Sequence, residues 1–249
     1  MRFLLTLTLF LVHWLAAGQN NASLIQESVQ LEQNANEPAA LDKLKQVLRT
    51  EPNNYYALWK SSELYSRLGI SQRDKNNMLA FYRAAQKSAE QAIRVQPNEA
   101  DGYYVLSVAM GRLALAGPNK EKIAAVKAIK TNAEKAIRYN PNHGRAWHVL
   151  GKWHYEISSL NFVERTAVKL FYGGFPESSY QHSIQAYEKA QKLEANFALN
   201  YLELAKAYHQ TGQDAKARTL LQKLASLPTR TGDDNRIKAE GKALMKELE

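Results

Sequence analysis

The stretch RYNPNHGRAWHVLGKWHYEISS, residues 138–159, decides how this chain folds, because its pieces recur elsewhere. RTEPNNYYALW places Pro52 ahead of a helical pattern, and RVQPNEADGYYVL does the same at Pro97. KLEANFALNYLEL repeats the arrangement with Ala195 in the proline position, and ASLPTRTG closes the series. Proline and glycine punctuate, and self-similarity at a long period marks a stacked helical array. Between these marks Ala, Leu, Lys, Gln and Glu dominate, all good helix formers, and strand-like alternation is scarce.

Within it, residues 146–156 hold two tryptophans, two histidines and an acid, which raises the question of a metal or catalytic site. His148 and His154 are six residues apart and point in different directions on a helix, whereas a zinc-binding helix needs histidines at i and i+4. His154 instead shares a face with Trp147, Leu150 and Gly151. No metal and no cofactor is expected. The chain has no cysteine, which excludes thiol nucleophiles, thiolate metal sites and disulfides. It shows no Gly-x-Ser-x-Gly elbow, Walker loop or dinucleotide loop. Glu156 and Glu164 are the carboxylates a hydrolase would use if the fold set them across a pocket. The neighbours Glu164 and Arg165 read better as structural, with Glu164 tying an inserted helix to its surroundings. The chain is expected not to be an enzyme.

Aligned on the prolines, the units resemble tetratricopeptide repeats. Trp147, Leu150, Gly151 and His154 fill the first-helix positions, as do Tyr201, Leu204, Ala205 and Tyr208, followed by Gly212 and Ala217. Tyr103 and Leu106 match in the preceding unit, and Leu58 and Tyr65 match more loosely before that. Ala85, Ala89 and Ala92, then Ala133 and Ala136, then Tyr187 and Ala190 fit the second helices. The family period is about 34 residues, yet Pro52 to Pro97 is 45, Pro97 to Pro141 is 44 and Pro141 to Ala195 is 54. Each excess falls between the two helices of a unit. The expectation is an all-α, tetratricopeptide-like helical-hairpin solenoid, an α-α superhelix with lengthened repeats and an inserted amphipathic helix. Helices are predicted over 21–34, 38–50, 54–68, 73–95, 98–116, 119–139, 142–158, 161–172, 178–194, 197–211, 213–227 and 233–247. Residues 20–50 would form an atypical first hairpin and the last helix would cap the other end, since an internal repeat would expose its apolar face.

LGKWHYEISSLNFVERTAVKLF, then a proline, then SYQHSIQAYEKAQKL is similar to the regulator of microtubule dynamics family. The matching positions include Trp147, Leu150, Gly151, Trp153, Glu164, Arg165, Phe171 and Pro176, and the similarity is clearest over 95–245. The resemblance implies a helical repeat protein. Animal members are associated with microtubules, mitochondria or membrane contact sites, and an exported bacterial member would not meet tubulin in its own cell.

The insertion carries Phe162, Thr166 and Leu170 at spacing four, and Val163, Ala167 and Phe171 one residue over, which together form one apolar stripe. It is expected to pack across the solenoid, with Gly173-Gly174 turning the chain before Pro176. Tyr172 and Phe175 beside the stripe are the features that would serve membrane contact, but no membrane association is predicted.

MRFLLTLTLFLVHWLAAGQN reads as a signal peptide, with Arg2, an apolar run from Phe3 to Val12 and small residues at 16–18. Residues 1–18 are expected to be cleaved between Gly18 and Gln19. This would leave a single helical repeat domain, 19–249, in the periplasm or secreted. The formal charge is +9, or +8 without Arg2, spread along helices, and nothing resembles a nucleic-acid motif.

In the repeat family the concave surface is lined by first-helix residues. Those positions here include Trp59, Glu63, Tyr104, Arg145, His148, Lys152, Tyr155, Lys206 and His209. Basic groups pair with carboxylates and aromatic rings add apolar contact area. The expected partner is a peptide or protein segment, acidic or with a free carboxylate, held by a noncatalytic scaffold. The alternatives are a membrane-associated or cytoplasmic regulator of the microtubule-dynamics type and a carboxylate hydrolase.

Overall fold

The computed structural model describes residues 20–116, 119–174 and 176–249, with all their side chains except those of 119–124, 167–168 and 171–172. The signal-peptide reading, Phe175 and the Phe171 side chain therefore lie outside the described residues. Twelve helices and no strand occur among those described. They are α1 (20–33), α2 (Glu37–Thr50), α3 (Tyr55–Ile70), α4 (Lys75–Val95), α5 (Ala100–Ala116), α6 (Asn119–Tyr139), α7 (Gly144–Ser159), α8 (Phe162–Tyr172), α9 (Tyr180–Leu193), α10 (Ala198–Gln210), α11 (Asp214–Ser226) and α12 (Asp234–Glu247). Every boundary falls within two residues of the predicted span.

The proline marks have a physical use. At two of the marks an aromatic residue six positions on reaches back to the proline carbonyl: Tyr103 Oη donates to Pro97 O at 2.9 Å and Trp147 Nε1 to Pro141 O at 2.9 Å. Tyr201 Oη does the same to Ala195 O at 3.0 Å. Only the carbonyl is needed for this bond, so alanine stands in for proline without loss. Side-chain caps set several helix starts: Asn54 accepts from the Ala57 amide, Asp74 from Asn77 and Ser179 from His182.

The hairpins are α3 with α4, α5 with α6, α7 with α9 and α10 with α11. Ala85, Ala89, Ala92, Ala133, Ala136 and Ala190 are fully buried, so small residues on the second helices let the backbones approach. Leu24 packs with Ala40, Leu41, Leu44 and Val47 to make the first hairpin. At the other end Ile237 and Leu248 close the last core cluster, and α12 packs on α10 and α11. The array also curves until its ends meet. The Gly232 amide, just ahead of α12, donates to Glu37 Oε1 of α2 at 3.4 Å.

The extra residues account for the long spacing. Helices α4 and α6 each run 21 residues, and the third hairpin loops α8 out between its two members. Here the expectation fails. Helix α8 does not pack across the solenoid: it makes no extensive contact with another helix among the described residues, and Phe162, Val163 and Leu170 are 82%, 74% and 74% exposed. An amphipathic pattern records which face is apolar, not whether a partner surface lies within reach.

Local bonds hold α8 instead. Glu164 does not tie the insertion to its neighbours. Its Oε2 accepts from the Asn161 amide while Asn161 Oδ1 accepts from the Glu164 amide, a reciprocal capping box at 2.9 Å each. Arg165 donates to Ser158 O at 2.6 Å and Leu160 O at 2.8 Å, satisfying carbonyls left open at the end of α7. Gly173 and Gly174 have φ of 72° and 85°, the left-handed turn glycine permits. A Phe162→Ser/Val163→Ser/Leu170→Ser triple variant should therefore change unfolding free energy in urea by less than about 1 kcal/mol. A loss of several kcal/mol would show that α8 is packed.

Candidate interaction groove

Helices α3, α5, α7 and α10 turn one face inward. That face is covered by a ladder of ion pairs in two networks. In the first, Lys60 pairs with Glu32 at 2.8 Å and Glu63 at 2.7 Å, and Arg67 joins Glu32 and Glu37. Arg145 of α7 crosses α5 to meet Glu63 of α3, and its Nε reaches Glu194 at 3.1 Å. Tyr104 of α5 fills the gap and donates to Glu63 Oε1 at 3.2 Å. In the second, Lys152 pairs with Glu156 at 2.9 Å and Glu203 at 2.7 Å. Lys206 links Glu203 at 3.2 Å to Glu240 at 2.6 Å, and Arg236 joins Glu240 to Asp233.

Burial alone would raise the Glu63 carboxyl, but the charges of Arg145, Lys60 and Arg67 outweigh it and hold it well below the usual range. Glu203 is held low in the same way by Lys152 and Lys206. Burial, reinforced by the Glu63 charge, pushes the Tyr104 hydroxyl up. Glu63 and Glu203, at the centres of the two networks, are thus ionised and paired.

A cavity of about 330 Å³ opens on the first network. Trp59, Lys60 and Glu63 line it from α3, Asp101 and Tyr104 from α5, and Asn142, His143, Gly144 and Arg145 from the start of α7, with Glu194 at the far side. Of the sequence candidates, Trp59, Tyr104 and Arg145 come together here, with Glu63. Trp59 is half-buried and stands edge-on to Tyr56 at 5.3 Å. Lys152, Tyr155 and Lys206 sit farther along, on the second network, where Lys152 Nζ lies 5.7 Å from the centre of the Tyr155 ring. His209 stands apart, exposed at the end of α10 and paired with Asp214 at 2.8 Å.

His148 lies in the core beneath the groove. It is 7% exposed, between Phe197 at 4.8 Å and Tyr187 at 5.3 Å. Asn200 Nδ2 donates to Tyr187 O, so its Oδ1 faces His148 Nδ1, which donates at 3.0 Å. Burial pushes His148 from 6.5 to about 4, against the opposing pull of Asn200 and Glu203. The folded value lies below the unfolded one, so this contribution is complete above about pH 6.5 and is lost as pH falls toward 4. At pH 5 the loss should be on the order of 2 kcal/mol relative to pH 7.5. Urea unfolding of wild type against His148→Gln at the two pH values checks this. An equal fall in both would remove His148 as a source.

His154 points elsewhere, between Trp153 at 5.1 Å and His182 at 5.2 Å. With Trp147 and Leu150 it lines a second cavity of about 540 Å³ between α6 and α9. Trp153 is buried and its Nε1 donates to Val126 O at 2.8 Å. Gly151 sits against the Tyr187 ring, and Pro176 is exposed. Glu156 pairs with Lys152 while Glu164 closes its own helix cap, so the two carboxylates do not flank a pocket. Among the described residues no group of three or more His, Asp or Glu is gathered to hold a metal.

Sequence reasoning missed Lys60, Asp101, His143, Glu194 and Glu203. Two were signalled: Lys60–Glu63 and Glu203–Lys206 are opposite charges three apart on first helices, close enough to pair. His143 and Glu194 come from connections, which the repeat pattern does not index.

The fold defines an all-α helical-repeat protein of the tetratricopeptide-like solenoid class. Over 90% of this chain and 99% of the other it superposes on a thermophilic TPR protein of Thermus thermophilus, with a TM-score of 0.65 at 17% identity, a likeness of fold. Residues 24–249 match the family described as regulator of microtubule dynamics protein 1-3, and the chain belongs to that family. It is 27% identical to regulator of microtubule dynamics protein 3 of Xenopus laevis over 71% of this chain and 23% identical to that of Mus musculus over 72%. The matched part spans 38% of each of those relatives.

Proposed function

We propose that the chain is a noncatalytic scaffold that holds a peptide or protein segment on its inward face. The observation that carries this is the cavity framed by Trp59, Tyr104 and Arg145 from three successive first helices. Its polar side chains are already held by Glu63 and Glu194, so little side-chain ordering opposes binding. An acidic or carboxylate-ended segment, the first expectation, would have to displace those carboxylates from Arg145, and Glu203 from Lys152 and Lys206. Tagged wild type and Trp59→Ala, each recovered from the native host, test the reading. A partner retained by wild type and lost from the variant is expected. Identical partner sets would count against the cavity.

The leader-like residues 1–18 support a place of action outside the cytoplasm. The intact mass of natively expressed protein should correspond to a chain beginning at Gln19, and a retained Met1 would sink this. The alternative of a cytoplasmic or membrane-associated microtubule regulator takes its support from the relatives' names. Co-sedimentation with microtubules would favour it.

A further inference from the structure

We infer that the segment held on the inward face is basic, with a lysine or arginine side chain entering the cavity beside Trp59 toward Asp101 and Glu194. The inference rests on the scaffold reading and adds the chemistry of the partner.

Charge balance is the first ground. The cavity holds three carboxylates, Glu63, Asp101 and Glu194, against two cations, Lys60 and Arg145. Each of those cations already holds two carboxylates, Glu32 and Glu63 for Lys60, and Glu63 and Glu194 for Arg145. Neither is left to receive an incoming anion. The excess is negative, and it is accessible: Asp101 is 37% exposed and Glu194 33%. The described partner of Asp101 is His143 Nε2 at 3.3 Å. His143 Nδ1 accepts the Ala146 amide, so Nε2 carries the ring hydrogen and the pair forms with a neutral ring. Asp101 therefore has no full counter-charge in the cavity.

The rest of the inward face has the same sign. Each ion-pair network contains four carboxylates and three cations, while the chain as a whole is +9. The fold thus gathers an excess of acid on this face of a chain that is basic as a whole. That sorting is opposite to what distant electrostatic attraction by the net charge would select, so it marks this face for a different partner from the one the whole chain attracts. Trp59 and Tyr104 supply aromatic walls, and a guanidinium or ammonium between an aromatic face and a carboxylate gains from both.

The test uses the full chain and two fluorescein-labelled peptides of equal length, one with Lys and Arg at alternate positions and one with Glu there, read by anisotropy at one physiological salt concentration. The basic peptide should bind about tenfold tighter than the acidic one. Asp101→Asn/Glu194→Gln should weaken it about fivefold, and Trp59→Ala about as much. Asp42→Asn, an exposed acid on α2, should change it less than about twofold. Thermal unfolding confirms that each variant is folded. Equal weakening by Asp42→Asn would overturn the inference, because binding would be diffuse. Acidic-peptide binding as tight or tighter, and lost in Trp59→Ala, would overturn the basic partner while leaving the groove in place. If Trp59→Ala affects neither peptide, or neither binds, both the inference and the groove reading fail.

Discussion

Glu63→Ala should cost about 3–5 kcal/mol of folding stability, the largest single loss among the charged residues. Glu63 is 5% exposed and serves Lys60, Arg145 and the Tyr104 hydroxyl at once. Removing it leaves Lys60 with Glu32 alone and Arg145 with Glu194 alone, while Arg67 loses a nearby counter-charge. The cost lies in leaving the cations of this half-buried cluster with less counter-charge than the folded site gives them. Arg236→Ala removes a 53% exposed partner and should cost under about 1 kcal/mol. Urea unfolding of both variants makes the comparison, and similar small losses would mean the ladder is a solvated surface. The pH sign follows from the same site. Glu63 is held below its ordinary 4.5, so its contribution is complete above that pH and fades as pH falls through the folded value. Glu63→Gln should flatten that acid limb.

Gly151→Val should cost about 2–3 kcal/mol, the second large effect. A Cβ at this position would lie 2.7 Å from Tyr187 Cδ1 and 2.9 Å from Cε1. The ring has no room to retreat: Tyr187 is fully buried and packs against His148 on the same hairpin. The clash and the ring should therefore be coupled. Tyr187→Leu alone should also destabilise, by opening a cavity, but it should recover part of the Gly151→Val loss in the double variant. Strict additivity of the two losses would show that the α7–α9 contact does not limit residue size at 151.

Most of the fold was legible because helical repeats write their period into the chain. Proline marks, alanines on second helices and aromatics on first helices placed the four repeat hairpins, α3–α4, α5–α6, α7–α9 and α10–α11. The bond from each aromatic to the carbonyl six residues back explains why Ala195 kept the register without a proline. The insertion was legible as a helix but not in its placement. Its apolar stripe predicted burial, whereas Phe162, Val163 and Leu170 face outward.

The inward face was read less evenly than the fold. Repeat positions gave Trp59, Tyr104, Arg145, Lys152, Tyr155 and Lys206, which do lie along the inward face. They misjudged His148, which one step of helical phase sends into the core against Phe197. They also gave Arg145 and Glu63 without showing that the two pair, and they left out Glu194 and Glu203. Arg145 and Glu63 are 82 residues apart in the chain, and only the curvature of the array makes them neighbours. A list of inward lysines and arginines therefore suggests an acidic partner, while the folded surface, with those charges already matched, does not.

Site-specific crosslinking tests the central claim most directly. A photo-crosslinking residue is placed at Asn142, exposed on the cavity rim, and in a separate protein at Asp42 on the outer side of α2. Both are expressed in the native host. If the inward face holds the partner, a discrete adduct forms from position 142 and not from position 42. An adduct from position 42 alone would contradict the account.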